Sequence, residues 1–342
     1  MILTDRQSKI LGVLTREFIL TAEPVSSSTI ERILKNLCSS ATIRSEMVEL
    51  EKSGYLQQRH ISSGRVPTHQ GYRYYVDCIM NQEALSLEEQ YAIKMELNKI
   101  TYEIDQLLTK TLSLIAQLTS HLSILVPPNF TKIIIKDIHL MSINPYSILI
   151  VIVTATGLVI NKIIENSSSI PETEIKVLSN FLNEKLVGVS LDKIDSAIYE
   201  GGDKLSKNHL IKMLIEEIKK SLLSKMEKKV MWIGTQNLMS KPEFKNVDKI
   251  RALLDILEHR DFADLITRSL GKEDVTVTIG EEHKIKEFYD CSIIKAYYKV
   301  SGEIVGNLGI LGPTRMHYAK MVPLISYIAG SFSSMLNRLN TQ

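Results

Sequence analysis

Residues 38–75 hold the side chains whose types and spacing can do chemistry, and that chemistry is recognition of a polyanion. Ile43, Met47 and Leu50 form one apolar helical stripe, and Ala41, Ser45 and Lys52 turn away from it with Thr42 and Arg44 on the shoulders. A small polar face with a long cation fits a groove of DNA and offers hydrogen-bonding groups to base edges. No Asp or Glu lies between Glu51 and Asp77, whereas Lys52, Arg59, Arg65 and Arg73 do. This window is locally positive, and Ser62-Ser63-Gly64-Arg65 reads as a basic hairpin tip able to follow a phosphate backbone. Arg44 has three open roles: a bidentate bond to guanine, a phosphate contact, or a bridge to Glu46 or Glu49. Arg65 reads as a phosphate or minor-groove contact.

The elements that must position these residues are legible around them. Thr4-Asp5-Arg6-Gln7 is a capping box, and Ile10, Leu11, Leu14 and Phe18 continue it as a helix that ends before Pro24. Ser26, Ser27 and Ser28 offer a second cap, with Ile30, Ile33, Leu34 and Leu37 behind them. Ser39 or Ser40 caps a third helix, which stops at Gly54. Three helices, a short strand and a basic hairpin predict a winged helix-turn-helix. Tyr72, Tyr74 and Tyr75 lie on a helix leaving that module and are expected to cover its core, not to stack on bases.

Beyond residue 80, Ser86-Leu87-Glu88-Glu89 opens a helical pattern that persists to about Leu125. One helix of about forty residues, on the order of 58 Å long, is predicted, with two ordinary helices as the alternative. Ile- and Val-rich segments at 133–138, 147–154 and 158–164 predict antiparallel strands, and further strands are expected at 275–279, 292–300 and 303–311. Residues 189–230 interrupt this sheet. Their helix places Leu210, Leu214, Ile218 and Leu222 on one face, expected to meet the same helix of a second subunit, and its Lys-rich opposite face is expected to be solvated. The organisation read from these patterns is a winged-helix domain at 1–80, a long linker helix at 81–128, a sheet domain at 129–188 and 231–342, and an inserted dimerisation domain at 189–230. Pro323 should kink the last helix or lie near its start.

Composition narrows the function. With 41 basic and 39 acidic residues among 342, any polyanion binding must come from a local patch. Cys38, Cys78 and Cys291 are far apart, which fits neither a disulfide framework nor a CxxC site and points to a reducing cytosol. The first residues lack a signal-peptide pattern, and the apolar run 148–153 is too short to span a membrane. The eight histidines show no ligand spacing, so no metal is expected. Gly306, Gly309 and Gly312 do not follow GxGxxG, and neither GxSxG, a P-loop nor a paired carboxylate constellation occurs. An enzyme and a cofactor are therefore not expected.

Ala41-Thr42-Ile43-Arg44, Glu46-Met47, Gly64-Arg65-Val66-Pro67-Thr68 and Gly71-Tyr72-Arg73-Tyr74-Tyr75 resemble the bacterial heat-inducible transcription repressor family HrcA. Glu23-Pro24-Val25, Pro242-Glu243-Phe244, Leu253-Leu254 and Gly312-Pro313-Thr314-Arg315-Met316 extend the similarity along the whole chain. The resemblance implies an α+β multidomain protein: an amino-terminal winged helix, a GAF-like antiparallel-sheet domain and an inserted dimerisation domain. It also implies a homodimer that binds double-stranded DNA at an inverted-repeat operator, the CIRCE element, upstream of chaperone operons, assisted by the GroE chaperonin. Such a protein would be cytoplasmic and nucleoid-associated. On this reading Thr42, Arg44 and Ser45 read bases, while Ser39, Ser40, Arg59, Arg65 and Thr68 hold phosphates, with Ser63 beside them at the hairpin tip. Ser40 stands where the family more often has Pro, Ser45 where it has Asn, and Ser26-Ser27-Ser28 where it has a Gly-Ser-Arg run. Serine lacks the bidentate adenine contact of asparagine. The alternative is a winged-helix regulator that senses a small molecule in its GAF-like domain.

Overall fold

The computed structural model describes residues 3–34, 38–58, 64–99, 104–128, 134–155, 159–165, 169–199, 208–226, 230–258, 262, 266, 274–300 and 302–340. In the amino-terminal module, Thr4 accepts the Gln7 N–H at 3.3 Å while the Gln7 side chain accepts the Thr4 N–H at 3.1 Å, which starts α1 (Asp5–Thr21). Helices α2 (Ser27–Ile33) and α3 (Ser40–Lys52) follow. Ile10, Leu11, Leu14, Ile30, Ile43, Met47 and Leu50 close the core between the three helices. Strands β1 (Leu56–Gln58) and β2 (Arg65–Pro67) pair antiparallel, and Val25 adds a third rung through two 2.9 Å bonds with Arg65. Helix α4 (His69–Tyr74) then passes so close to this ribbon that a Cβ at Gly71 would sit 2.1 Å from the Tyr55 carbonyl oxygen. Only glycine permits that approach.

Two helices, α5 (Leu87–Asn98) and α6 (Ile104–Thr119), lead to strand β3 (Leu122–Val126). The single long helix expected to run to Leu125 is therefore not formed, and the two-helix alternative holds. Ser120, in the left-handed region at φ 52°, follows α6, and the next apolar residues form β3, buried on both faces. A strand buried on both sides has no period-two signature, so its leucines mimic a continued helical stripe. Strands β4 (Ile135–Asn144), β5 (Ser147–Thr154) and β6 (Val159–Glu165) come next, then helices α7 (Glu172–Leu186), α8 (Ile194–Tyr199) and α9 (His209–Met226). Strand β7 (Met231–Ile233), helices α10 (Thr235–Met239) and α11 (Val247–Glu258), and strands β8 (Val275–Ile279), β9 (Cys291–Val300) and β10 (Glu303–Pro313) precede the carboxy-terminal helix Tyr318–Asn340. Pro323 lies inside that helix. The carbonyl it leaves without a helical donor, that of Ala319, accepts the Glu83 N–H at 2.9 Å.

The central sheet is antiparallel in the order β7-β3-β10-β9-β8. One face, with Leu125, Ile294, Ala296, Tyr298, Leu308 and Ile310, joins α6, the carboxy-terminal helix and the winged module in a continuous core. The other face, with Ile124, Val126, Ile293 and Leu311, packs under Phe244, Leu253, Phe262 and Phe288. An antiparallel sheet layered by helices on both faces is the GAF-like part of an α+β chain.

Strands β4, β5 and β6 do not join it. They form a separate three-stranded sheet whose core, from Ile135 to Leu222, is shared with α7, α8 and α9. The inserted body thus begins near residue 134, not at 189, and the sheet domain loses residues 135–186. Leu210, Leu214, Ile218 and Leu222 belong to the inside of this body, with Leu214, Ile218 and Leu222 at 0% exposure. Their expected meeting with a second subunit is corrected: Ile138, Ile148, Ile150, Ile152, Ile160 and Ile164 give the sheet an apolar inner face that must be covered, and α9 covers it within one chain.

Candidate nucleic-acid interface

Helix α3 projects from its own cap. The Ser39 hydroxyl accepts the Thr42 N–H at 3.3 Å and lies 3.0 Å from the Thr42 hydroxyl, so both side chains help to start the helix. Ser40 ties the two helices of the motif together: its hydroxyl donates to Ser27 Oγ at 2.9 Å and its N–H to Glu31 Oε1 at 3.0 Å. Ile43, Met47 and Leu50 point inward. Ala41, Arg44 and Ser45 are left exposed on the opposite face, and neither Arg44 nor Ser45 has a hydrogen-bond partner among the described residues. Of the three open roles for Arg44, bridging Glu46 or Glu49 is not the one adopted: Glu46 faces Arg6 at 3.6 Å and Glu49 binds Lys52 at 2.8 Å.

The wing is less cationic than its composition. Arg65 does not project from the hairpin. Its side chain is 12% exposed and its Nε donates to Glu51 Oε2 at 2.8 Å, which fastens β2 to the end of α3. Thr68 is likewise a structural residue, its hydroxyl donating to the Gly54 carbonyl at 2.6 Å and accepting the Gly71 N–H at 3.1 Å as the cap of α4. Arg59 and Ser63 lie outside the described residues. Exposed Gln57 and Gln58 on β1 flank them, two amides that charge counting passes over.

Arg73, the last cation of the window, fastens the winged module to the central sheet. Its Nε and Nη2 donate to the two carboxylate oxygens of Glu282 at 2.7 and 2.5 Å, Nη2 also reaches the Val277 carbonyl at 2.6 Å, and Nη1 reaches Asp77 at 3.0 Å. The hydrogen bonds to Glu282 hold the guanidinium above its usual range. Burial pushes the Glu282 carboxyl up, but the bonds from Arg73 and from the Ile279 N–H outweigh it and leave the group below the ordinary carboxylate range. Beside the latch, Gly280 at φ +54° lets the chain approach His69, where a Cβ would meet the imidazole at 2.5 Å. Tyr72 is buried against Tyr318, with ring centroids 6.1 Å apart, and Tyr74 packs edge-on to Tyr55. The tyrosines therefore serve packing. Arg315, paired with Glu243, adds a bond to the Ile19 carbonyl at 3.5 Å. No sequence signal marked these partners, since Arg73 and Glu282 are more than two hundred residues apart.

Among the described residues no group of His, Cys, Asp and Glu is placed to hold a metal, and no helix is long and apolar enough to cross a membrane. An exposed second helix of a helix-turn-helix, a paired ribbon beside it and a GAF-like sheet behind it define a winged-helix transcription regulator. Residues 105–322 match the family described as HrcA protein C terminal domain. The heat-inducible transcription repressor HrcA of Pelotomaculum thermopropionicum is 38% identical over 342 residues, covering 99% of this chain and 98% of that protein. That of Desulforamulus reducens is 35% identical, covering 99% of both chains. A crystal structure of a hypothetical protein at 2.2 Å resolution shares the fold, with a TM-score of 0.68 and 23% identity over 99% of this chain and 100% of that one. The chain belongs to the HrcA family of heat-inducible transcription repressors. Its curated relatives are named as repressors, not as enzymes.

Proposed function

We propose that this chain works as a homodimeric repressor of chaperone operons in the cytoplasm, on the nucleoid, binding the inverted-repeat CIRCE operator, with the GroE chaperonin assisting its active form. The observation that carries the DNA-binding part is the exposed Arg44–Ser45 edge of α3, without a side-chain partner among the described residues, whereas Lys52, Arg65 and Arg73 are each ion-paired. In this reading each α3 enters a major groove, Arg44 and Ser45 face bases, and Thr42 stands at the groove edge. Ser39 and Ser40 set the start of the helix, and Arg59 and Ser63 remain as wing contacts. Two half-sites separated by roughly 34 Å, or a multiple, suit a two-fold dimer. The outer face of the β4-β5-β6 sheet supports dimerisation: Met141, Val159 and Ile163 are each at least 50% exposed there. Partial unfolding on heating is a physically plausible release signal, because stability margins are narrow.

Gel-shift titration of a palindromic CIRCE duplex and a scrambled one, at fixed salt with and without chaperonin, tests this reading. Wild type is expected to prefer the palindrome, and Arg44→Ala to lose about 1–3 kcal/mol of that preference. Equal affinity of wild type for both duplexes, or an Arg44→Ala variant with undiminished selectivity, would overturn it.

A further inference from the structure

The central sheet carries a polar cluster that DNA binding leaves unused. Lys295 on β9 pairs with Thr276 of β8 on one side and Gly309 of β10 on the other, and Tyr297 pairs with Asn307. Residues opposite one another in an antiparallel ladder share a face, as do residues two apart along a strand. Lys295, Tyr297, Asn307 and Thr276 therefore lie together, on the face that also carries Ile124, Val126 and Ile293. The cluster is interior: Lys295 is 3%, Tyr297 5% and Asn307 3% exposed. Lys295 Nζ donates to the Ile266 carbonyl at 2.7 Å, and Asn307 Nδ2 reaches the same oxygen at 3.3 Å. Two donors from neighbouring strands thus converge on one point.

What surrounds that point is out of balance. No acidic side chain among the described residues pairs with Lys295, and burial alone draws its pKa down to about 8, so the group is mainly an ammonium at neutral pH. The Tyr297 hydroxyl, the Thr276 hydroxyl and Asn307 Oδ1 are buried without a hydrogen-bond partner among the described residues. Buried polar atoms are nearly always paired, and a buried charge is nearly always countered. The ammonium and the amide N–H groups can only donate, the two hydroxyls can donate or accept, and among the described residues no negative charge meets the ammonium, so its complement is an acceptor bearing one negative charge. A single cation balances one carboxylate, and the walls of Ile124, Val126, Ile293 and Phe262 suit hydrocarbon.

We propose that this cluster is a binding site for a small organic monocarboxylate with a compact apolar body. The carboxylate takes the place of the Ile266 carbonyl on Lys295 Nζ and Asn307 Nδ2, and the hydroxyls of Tyr297 and Thr276 donate to its oxygens. The site reaches the winged module by a short path. Thr276 is followed by Val277, whose carbonyl accepts from Arg73, and β8 runs directly into the turn that carries Glu282. An acid bound at Thr276 acts on the strand that holds the DNA-binding module; this consequence rests on the repressor reading, whereas the binding itself does not.

Calorimetric titration of the full chain with benzoate and with hexanoate, against the neutral benzamide and hexanamide, tests the site. At least one acid is expected to bind saturably, one per chain, with neither amide binding. Lys295→Met should weaken the acid at least about tenfold, since a charge-assisted bond is lost. Tyr297→Phe and Thr276→Val, each smaller changes, should weaken it severalfold and carry the comparison if Lys295→Met does not fold. No saturable heat from either acid, equal binding by the amides, or undiminished binding by the folded variants would overturn the proposal and leave internal water as the partner of these groups. Operator binding measured without any acid is unaffected by these outcomes, so the two readings fail separately.

Discussion

Replacing Glu282 by Gln removes the charge that holds the winged module to the central sheet while keeping the size of the side chain. The carboxylate accepts two bonds from Arg73, at 2.7 and 2.5 Å, and a third from the Ile279 N–H at 2.8 Å. The side chains of Arg73 and Glu282 are 29% and 35% exposed, so the pair stands between two regimes. Exposed bridges contribute about 0–1 kcal/mol, whereas breaking a buried pair costs roughly 3–5 kcal/mol. Bidentate geometry favours the upper part of that interval and partial solvation lowers it, giving about 2 kcal/mol for Glu282→Gln, a factor of roughly thirty in an equilibrium constant. Denaturant unfolding of wild type, Glu282→Gln, Arg73→Met and the double variant measures the coupling directly. A coupling of about 2 kcal/mol is expected, and additivity within about 0.5 kcal/mol would refute the latch. The same variants separate positioning from contact. Loosening the module should weaken binding to a duplex with two half-sites and leave binding to a single half-site unchanged, because only the former requires a fixed distance between two helices.

Other residues make sharper distinctions. Arg65→Ala should lower stability by about 2 kcal/mol, as expected for a mostly buried pair with Glu51, and leave the salt dependence of operator binding unchanged; a fall of about one in the salt slope with stability intact would restore it as a phosphate contact. Ile163→Glu, on the exposed sheet face, should convert the dimer to a folded monomer in sedimentation, whereas Leu214→Glu should unfold the inserted body; a persistent Ile163→Glu dimer would place the interface elsewhere. Acid should destabilise the chain through His121 and His283, both drawn down to about 4, chiefly by burial. The unfolded imidazole, near 6.5, takes up a proton first, so this stability is complete above about pH 6.5 and is lost as the pH falls toward 4. Each site contributes a loss of roughly 2 kcal/mol by pH 5. Melting curves from pH 7 to 5 should therefore fall steeply for wild type and less steeply for His121→Leu; equal slopes would remove His121 from this account.

The winged module was readable because its determinants are local. Thr4 and Gln7, Ser39 and Thr42, and the Ile43-Met47-Leu50 stripe are each set by spacings of three or four residues, and local rules govern them. The chemistry of its cations was not readable in the same way. Lys52, Arg65 and Arg73 look alike as positive charges in an acid-free window, yet their partners Glu49, Glu51 and Glu282 lie on its border or across the molecule. Counting charge along the chain identifies a basic segment; only packing shows that Arg44 keeps its charge unspent on any described side chain. Nor was the polar cluster around Lys295 legible, since four residues from three strands meet there through register alone.

The misplaced boundary of the inserted body has a physical reading of its own. Residues 148–153 are uninterrupted hydrophobic side chains, the pattern of a strand covered on both faces, and nothing in that pattern separates them from the strands of the GAF-like sheet. In the fold, β5 alternates between fully and partly buried positions, because α7 and α9 cover only its inner face. Leu149 and Val151 sit on the outer face, opposite Met141 and His139 on β4 and Ile163 and Asn161 on β6. A sheet destined for water on that side would alternate with polar residues; this one is polar at Asp137, His139 and Asn161, with Ser147 and Glu165 at one end, and apolar at Met141, Leu149, Val151, Val153, Val159 and Ile163. The sequence of β5 therefore describes a two-sided burial that one chain leaves half complete. A second copy laid across the same face would complete it, and would set the two α3 helices at a distance determined by the inserted bodies and not by the wings.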